Sequence, residues 1–310
     1  MAESLEKVTG TREAPWRSEK ALAVIETRPD SPTRRAWQRF HRHRLAMIAV
    51  FFFVLIFILA AGAPLFDRYP PNKISLGDKF QAPSAEHWLG TDRLGRDVWS
   101  RTIHGGRVSL AVGLSVAFLS TLIGTLLGSL SGYYGGKTDM IIMRLTDVVM
   151  TFPQIIIMII IASLVGRKII NVIVIISVLS WPGTVRLVRG QFLSFRETEF
   201  VMAARCLGVS DRRIISAHIL PNVVAPLLAQ VTFAVGAAIL TEAGLSFLGL
   251  GVPMPTPSWG NMLETARSLD VLQDGPWMWM PPALMTLSTI LCINFIGDGL
   301  RDAIDPRLVL

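Results

Sequence analysis

The sequence predicts an all-helical membrane protein that crosses the bilayer six times. Two observations carry that prediction. Hydrophobic residues make up 51% of the 310 and charged residues 17%, with a mean hydropathy of +0.48, which is more apolar than one soluble core requires. The apolar residues also gather into solid runs. A spanning helix needs about 20 mostly apolar residues at roughly 1.5 Å each, and six stretches meet that: residues 45–66, 108–130, 141–165, 169–188, 223–241 and 278–296. Backbone polar groups in hydrocarbon must pair within the segment, so the runs read as helices; a barrel would alternate in polarity.

The first run follows a polar stretch of residues 1–44 and has no small-residue cleavage site, so it reads as a retained anchor and not a signal peptide. Residues 1–44 form a tail, expected to be disordered over about its first thirty positions because large apolar side chains are few there. Its end, residues 34–44 (RRAWQRFHRHR), fits two readings: an interfacial helix carrying Trp37 and Phe40, or a basic flank of the first span. His41 and His43 lack thiol or carboxylate neighbours, so no metal site is assigned. Residues 45–310 form the transmembrane domain. Within it lie an outer loop at 67–107, a hairpin of Gly166, Arg167 and Lys168 between the third and fourth spans, and a 34-residue loop at 189–222.

The net charge is +7, and the positive residues sit beside apolar runs, which points to anionic lipid and away from nucleic acid. With both termini placed in the cytoplasm, twenty of the 30 Lys and Arg fall in inside segments and ten outside, the bias expected of a multi-pass protein. Seven of the ten lie in the outer loop, offset by five acids that include Asp92 and Asp97. Cys206 and Cys292 are the only cysteines, one in a polar loop and one in an apolar run, so neither a disulfide framework nor a thiol metal cluster is expected.

Chemistry in the usual sense is missing. Gly136-Lys137-Thr138 suggests a phosphate loop, but Ser131 stands where its first glycine belongs and the fragment follows a membrane helix. There is no convincing catalytic triad or metal motif, so catalytic residues are none and metal ligands none.

The loop at 189–222 is patterned. Phe200, Ala203, Ala204 and Leu207 fall at i, i+3, i+4 and i+7, a shallow apolar stripe. Gly208 permits a left-handed turn. Ser210 is placed to cap a second helix starting at Asp211, with Pro221 marking its end. A helix, turn and helix tethered at both ends to spans has the geometry of a lever. Packing against its own bundle is the alternative; a DNA-binding helix-turn-helix is disfavoured because both ends are held at the bilayer.

These residues resemble a family. The stretch from Glu199 through Ala203, Ala204 and Gly208 to Leu220 and Pro221 is similar to the EAA loop of bacterial ABC importer permeases. Met202 departs from the family's glutamate and His218 from its frequent isoleucine; Glu199 lies one turn earlier. The segments at 89–98 (LGTDRLGRDV), 245–251 (LSFLGLG), 256–260 (TPSWG) and 297–307 (GDGLRDAIDPR) are similar to the second, C-type permease of dipeptide, oligopeptide, glutathione and nickel importers. The resemblance covers residues 34–310. It implies a type I importer permease fold, a homologous permease subunit as partner, two ATPase subunits docked at the loop, an extracytoplasmic solute-binding protein and the bacterial inner membrane. It also implies no cofactor on this chain, with ATP and Mg on the ATPases, and a solute that is a peptide, or else nickel or glutathione.

Polar groups and breaks within spans are the remaining candidates. Trp181, Pro182 and Gly183 interrupt the fourth span, where a proline kink either lines a passage or serves packing. Glu242, 19 residues beyond Val223 and so about 28 Å along a helix, is placed near the outer interface, either as a gate or solute contact or as a structural acid. Asp147 is expected to pair with Arg144 at i−3. Asn294 is placed to bridge neighbouring helices. Two rival functions fit a polytopic chain: a secondary transporter, which would show internal repeats and ionisable groups on broken helices, and a membrane scaffold or sensor, which would use its loops for signalling partners.

Overall fold

Helices form where the apolar runs fall, and the computed structural model contains no strand among the residues it describes, 32–304. The disorder expected of the first thirty residues lies outside them. The described residues open with α1 (Pro32–Arg42), then α2 (Arg44–Ala61), whose N-terminus is capped by His43 Nδ1 accepting from the Ala46 N–H at 3.1 Å. A short α3 (Ala63–Phe66) ends the first span. Residues 34–44, open to reading as an interfacial helix or a basic flank, are helical in α1 as far as Arg42. This helix lies against α13 (Met280–Ile304), and His43 Nε2 is 3.7 Å from Asp302.

The second span is much longer than the apolar run suggested. α4 runs from Val98 to Tyr134, 37 residues, capped by Asp97 accepting from the Ser100 N–H at 2.8 Å. The last ten residues of the predicted outer loop are therefore its first turns. Polar residues there hid the helix, because their partners are protein groups: Arg101 donates to the Pro71 carbonyl and His104 pairs with Asp67.

The third span is not one helix. α5 (Gly136–Thr151) and α6 (Gln154–Val165) meet at 85°, and the fourth divides into α7 (Ile169–Ser180) and α8 (Pro182–Phe195) at 42°. Pro153 and Pro182 cause the breaks by removing a helix donor. Pro153 lies inside the single apolar run at 141–165, whose overall hydropathy masks the break. Four helices are long and apolar enough to cross a membrane, and the two bent pairs bring the total to six.

The fifth span corrects another boundary. Helix resumes at Asp211–Arg213, widens into a π turn at Ile214–Ile219, and continues as α10 (Leu220–Phe247). Pro221 does not end it. The Leu220 N–H donates five residues back to the Ile215 carbonyl, and a proline in the first turn of a helix costs little. Beyond α10 come α11 (Trp259–Leu263) and α12 (Leu269–Asp274).

α4 is the axis of the bundle, with α2, α7, α8 and α10 packed along it. Gly124, Gly128 and Gly132, one turn apart, make the closest approach. A Cβ there would sit 2.5 Å from Thr184 Cβ, 2.8 Å from the Val185 carbonyl oxygen and 2.5 Å from Phe192 Cβ. The outer sides of the helices carry exposed Phe51, Phe118, Ile141 and Leu164, a surface suited to lipid and not to water.

Residues 67–97 and 248–279 fold together as a cap on one end of the bundle. Trp277 Nε1 donates to the Thr91 carbonyl at 3.2 Å, Arg93 pairs with Asp270, and Asp92 accepts from Arg96 Nε at 2.7 Å.

Candidate functional site: the loop between the fourth and fifth spans

At the end of the bundle opposite the cap, α9 (Glu199–Cys206) leads to Gly208 at φ +74°, where the chain reverses before Asp211. The Gly208 N–H donates to the Arg205 carbonyl and the Val209 N–H to that of Ala204, closing the turn. The left-handed backbone that the sequence allowed is the one adopted.

The predicted stripe divides in two. Ala204 faces inward with Val201, joining Ile214, Ile219, Val188 and Phe192 in one buried cluster with Tyr133 and Val223. Phe200, Ala203 and Leu207 face outward with Met202, and Leu207 is 83% exposed. The residues at i, i+3 and i+7 thus form the open face, and the alanine at i+4 belongs to the seat beneath. Glu199 is exposed in the first turn, where its charge suits the helix dipole. Leu220 is half-buried and Pro221 exposed. Ser210 sits at the N-cap but makes no side-chain cap bond; Asp211 instead accepts from the Tyr133 hydroxyl at 2.6 Å. The Arg205 guanidinium lies over the Tyr133 ring, 5.2 Å from its centroid.

Next to this seat, Arg189 on α8 donates to Asp139 on α5 through Nε and through Nη2 at 2.7 Å, while the Ser131 hydroxyl donates to the same carboxylate. Asp147 pairs with Arg186 at 2.8 Å, and not with Arg144 as expected, because α8 runs beside α5. None of these partners was visible in spacing, since each pair spans two helices.

The other candidates lie elsewhere. Trp181 and Pro182 are buried at the α7–α8 bend, with the Trp181 carbonyl against Gly124 of α4. From α6, Gln154 donates its side-chain amide Nε2 to the Leu179 carbonyl at 2.9 Å beside the bend. Glu242 is fully buried near the cap. Its Oε1 accepts from Ser246 at 2.7 Å and Ser258 at 3.0 Å, and its Oε2 from Ser109 at 3.1 Å. Each serine oxygen in turn accepts a backbone N–H, from Val252, Asn261 and Trp259 respectively. The acid thereby ties α4 and α10 to the cap. Asn294 faces Gly236 of α10 across the α10–α13 contact. Among the described residues no group of three or more His, Cys, Asp and Glu is placed to hold a metal ion.

Residues 124–310, which contain the loop, match the family of binding-protein-dependent transport system inner membrane components. The chain belongs to that family. Residues 31–83 match the N-terminal transmembrane domain of oligopeptide transport permease C. A putative peptide permease protein of Brucella suis is 46% identical over 279 residues, 90% of this chain and 92% of the relative. A dipeptide transport system permease protein of Alkalihalophilus pseudofirmus is 40% identical over 278 residues, 90% and 91% of the two chains. A glutathione transport system permease protein of Escherichia coli is 41% identical over 298 residues, 94% and 98%. This chain is therefore a multi-pass permease subunit of an ABC importer, similar to C-type permeases, and contributes to the translocation pathway. The rival readings, secondary transporter and scaffold, are not favoured.

Proposed function

We propose that this permease carries short peptides through a pathway shared with a homologous subunit, and that two ATPase subunits dock on the outward face of α9. The observation carrying this reading is that face: Phe200, Ala203 and Leu207 are exposed on a helix tethered at both ends to spans, within the segment that resembles the EAA loop. A shallow apolar knob held on a rigid seat is what a groove on a partner can grip. ATP and Mg belong to those ATPases; the chain itself is non-catalytic. A solute-binding protein delivers solute at the cap end, on the outside of the inner membrane, and both termini are cytoplasmic, as the distribution of Lys and Arg supports.

Peptides are favoured because the relatives are named for peptide, dipeptide and glutathione transport; nickel stands behind them. The Trp181–Pro182 bend is assigned as a hinge beside the pathway, and Glu242 as the anchor of an outer gate. ATP-driven closure would move the loop and rock the two permeases.

Co-expression with the sister permease and both ATPases tests the reading. The unaltered chain is expected to co-purify with the ATPases and, with binding protein in proteoliposomes, to accumulate a labelled dipeptide or glutathione on ATP. Leu207→Asp should remain in the membrane with the sister permease and lose the ATPases. Retention of the ATPases by that variant would sink the docking face, and uptake of neither peptide would sink the solute class.

A further inference from the structure

Two contacts at opposite ends of α4 are joined by one uninterrupted helix. At one end Tyr133, 6% exposed, gives its hydroxyl to Asp211 at 2.6 Å and lies under Arg205, both residues of the loop. At the other, Ser109 donates to Glu242 and accepts from the Trp259 N–H. Trp259 also gives its ring N–H to the Thr102 carbonyl, and a Cβ on Gly106 would sit 2.8 Å from its ring. From Ser109 to Tyr133 is 24 residues, about 36 Å of helix, more than the ~30 Å hydrocarbon thickness. α10 also runs from the loop to the cap, continuing the helix that starts at Asp211 and accepting from Ser258 on Glu242, whereas α4 meets the loop through side chains of another segment.

The loop is also held by apolar contacts, but those of Val201, Ala204, Ile214 and Ile219 go chiefly to α8 and α10. Apolar packing fixes no direction along a helix, so between the loop and α4 the polar contact matters most. The Tyr133–Asp211 hydrogen bond is directional and accepts on a carboxylate, so it resists displacement of the loop along α4. We propose that Tyr133 is the positioning residue that makes α4 follow the loop, so that α4 delivers the movement to the cap through Ser109 and the Glu242 cluster. This rests on the loop being the ATPase docking element.

The test uses the full complex with sister permease and both ATPases in nanodiscs. Cys206, exposed on the loop, is replaced by serine, and a reporter cysteine is placed at Met254, 55% exposed on the cap. Maleimide labelling at that position is timed with and without ATP and vanadate, and phosphate release is measured in parallel. The parent complex should change its labelling rate on ATP–vanadate trapping. Tyr133→Phe keeps the ring under Arg205 and removes only the hydroxyl. It should shrink that response by roughly tenfold, the loss of one hydrogen bond to a charged acceptor, while phosphate release stays near the parent's.

Asp211→Asn keeps an acceptor and should preserve the response; Asp211→Leu should behave like Tyr133→Phe, and the two combined should cost no more than either. A parent complex whose cap ignores ATP overturns the proposal, as does Tyr133→Phe with an unchanged response or with response and hydrolysis falling together. Failure of the docking reading is separately visible: Leu207→Asp would then keep its ATPases whatever Tyr133 does.

Discussion

Arg189 holds Asp139 by both Nε and Nη2 across 50 residues of sequence, fastening α8 to the start of α5. Only a guanidinium presents two parallel donors to one carboxylate. Arg189→Lys keeps the charge and loses the fork. With the side chains 31% and 20% exposed, the expected loss is about 1 kcal/mol, read as a lower unfolding midpoint of the purified complex and reduced by added salt. An unchanged midpoint would mean that the fork adds nothing beyond the charge.

Two glycines on facing helices should respond oppositely to alanine. At Gly132 a Cβ would meet Phe192 Cβ at 2.5 Å, whereas nothing lies within 4 Å of one at Gly190. Gly132→Ala must push α4 off α8 and is expected to cost roughly 1–3 kcal/mol. Gly190→Ala, in an exposed helical position, should be neutral or gain up to about 1 kcal/mol. Thermal unfolding of the two variants side by side checks this; equal effects would refute the close α4–α8 approach.

Gly208→Asp separates folding from docking. The space around Gly208 is open, but its φ of +74° makes any side chain cost about 1 kcal/mol, too little to unfold the bundle. A carboxylate beside Leu207 would, however, enter the partner groove unpaired, at several kcal/mol. Normal membrane yield with sister permease and little stimulation of ATP hydrolysis by loaded binding protein is the expected pattern. Full stimulation and uptake would remove the loop from the coupling path.

Topology can be checked by labelling single cysteines in whole cells. Ser84 on the cap and Ser194 near the loop are both exposed; the first should label from outside and the second only after permeabilisation. Ser258, equally suitable by sequence, is fully buried in the Glu242 cluster and should stay unlabelled while folded. Reversal of Ser84 and Ser194 would invert the orientation derived from charge.

The sequence disclosed what depends on local runs. Apolar stretches located the spans, Gly208 announced its turn, and Pro182 its bend. It hid what depends on packing between distant segments. Val98–Arg107 looked like loop because its polar side chains are satisfied by Pro71, Asp67 and Asp92, residues outside the helix. Ser109, Ser246 and Ser258 are ordinary serines until folding gathers them on Glu242. The outward and inward positions of α9 were not separable either, because an eight-residue helix with alanines at both 203 and 204 leaves its buried face undefined until α8 and α4 are in place.

The π turn at Ile214–Ile219 sets an angle that the surrounding residues do not. Ile214 and Ile219 are five apart and both fully buried, although in an α-helix such a pair diverges by about 140°. One surplus residue in the ladder realigns them. Removing a residue such as Ala217 would restore ordinary α spacing and swing everything before it by about 100° about the axis of α10. Phe200, Ala203 and Leu207 would then turn together away from a groove fitted to them, with every side chain of α9 intact. The direction in which this permease offers its loop is therefore written in a residue count and not in the residues that make contact.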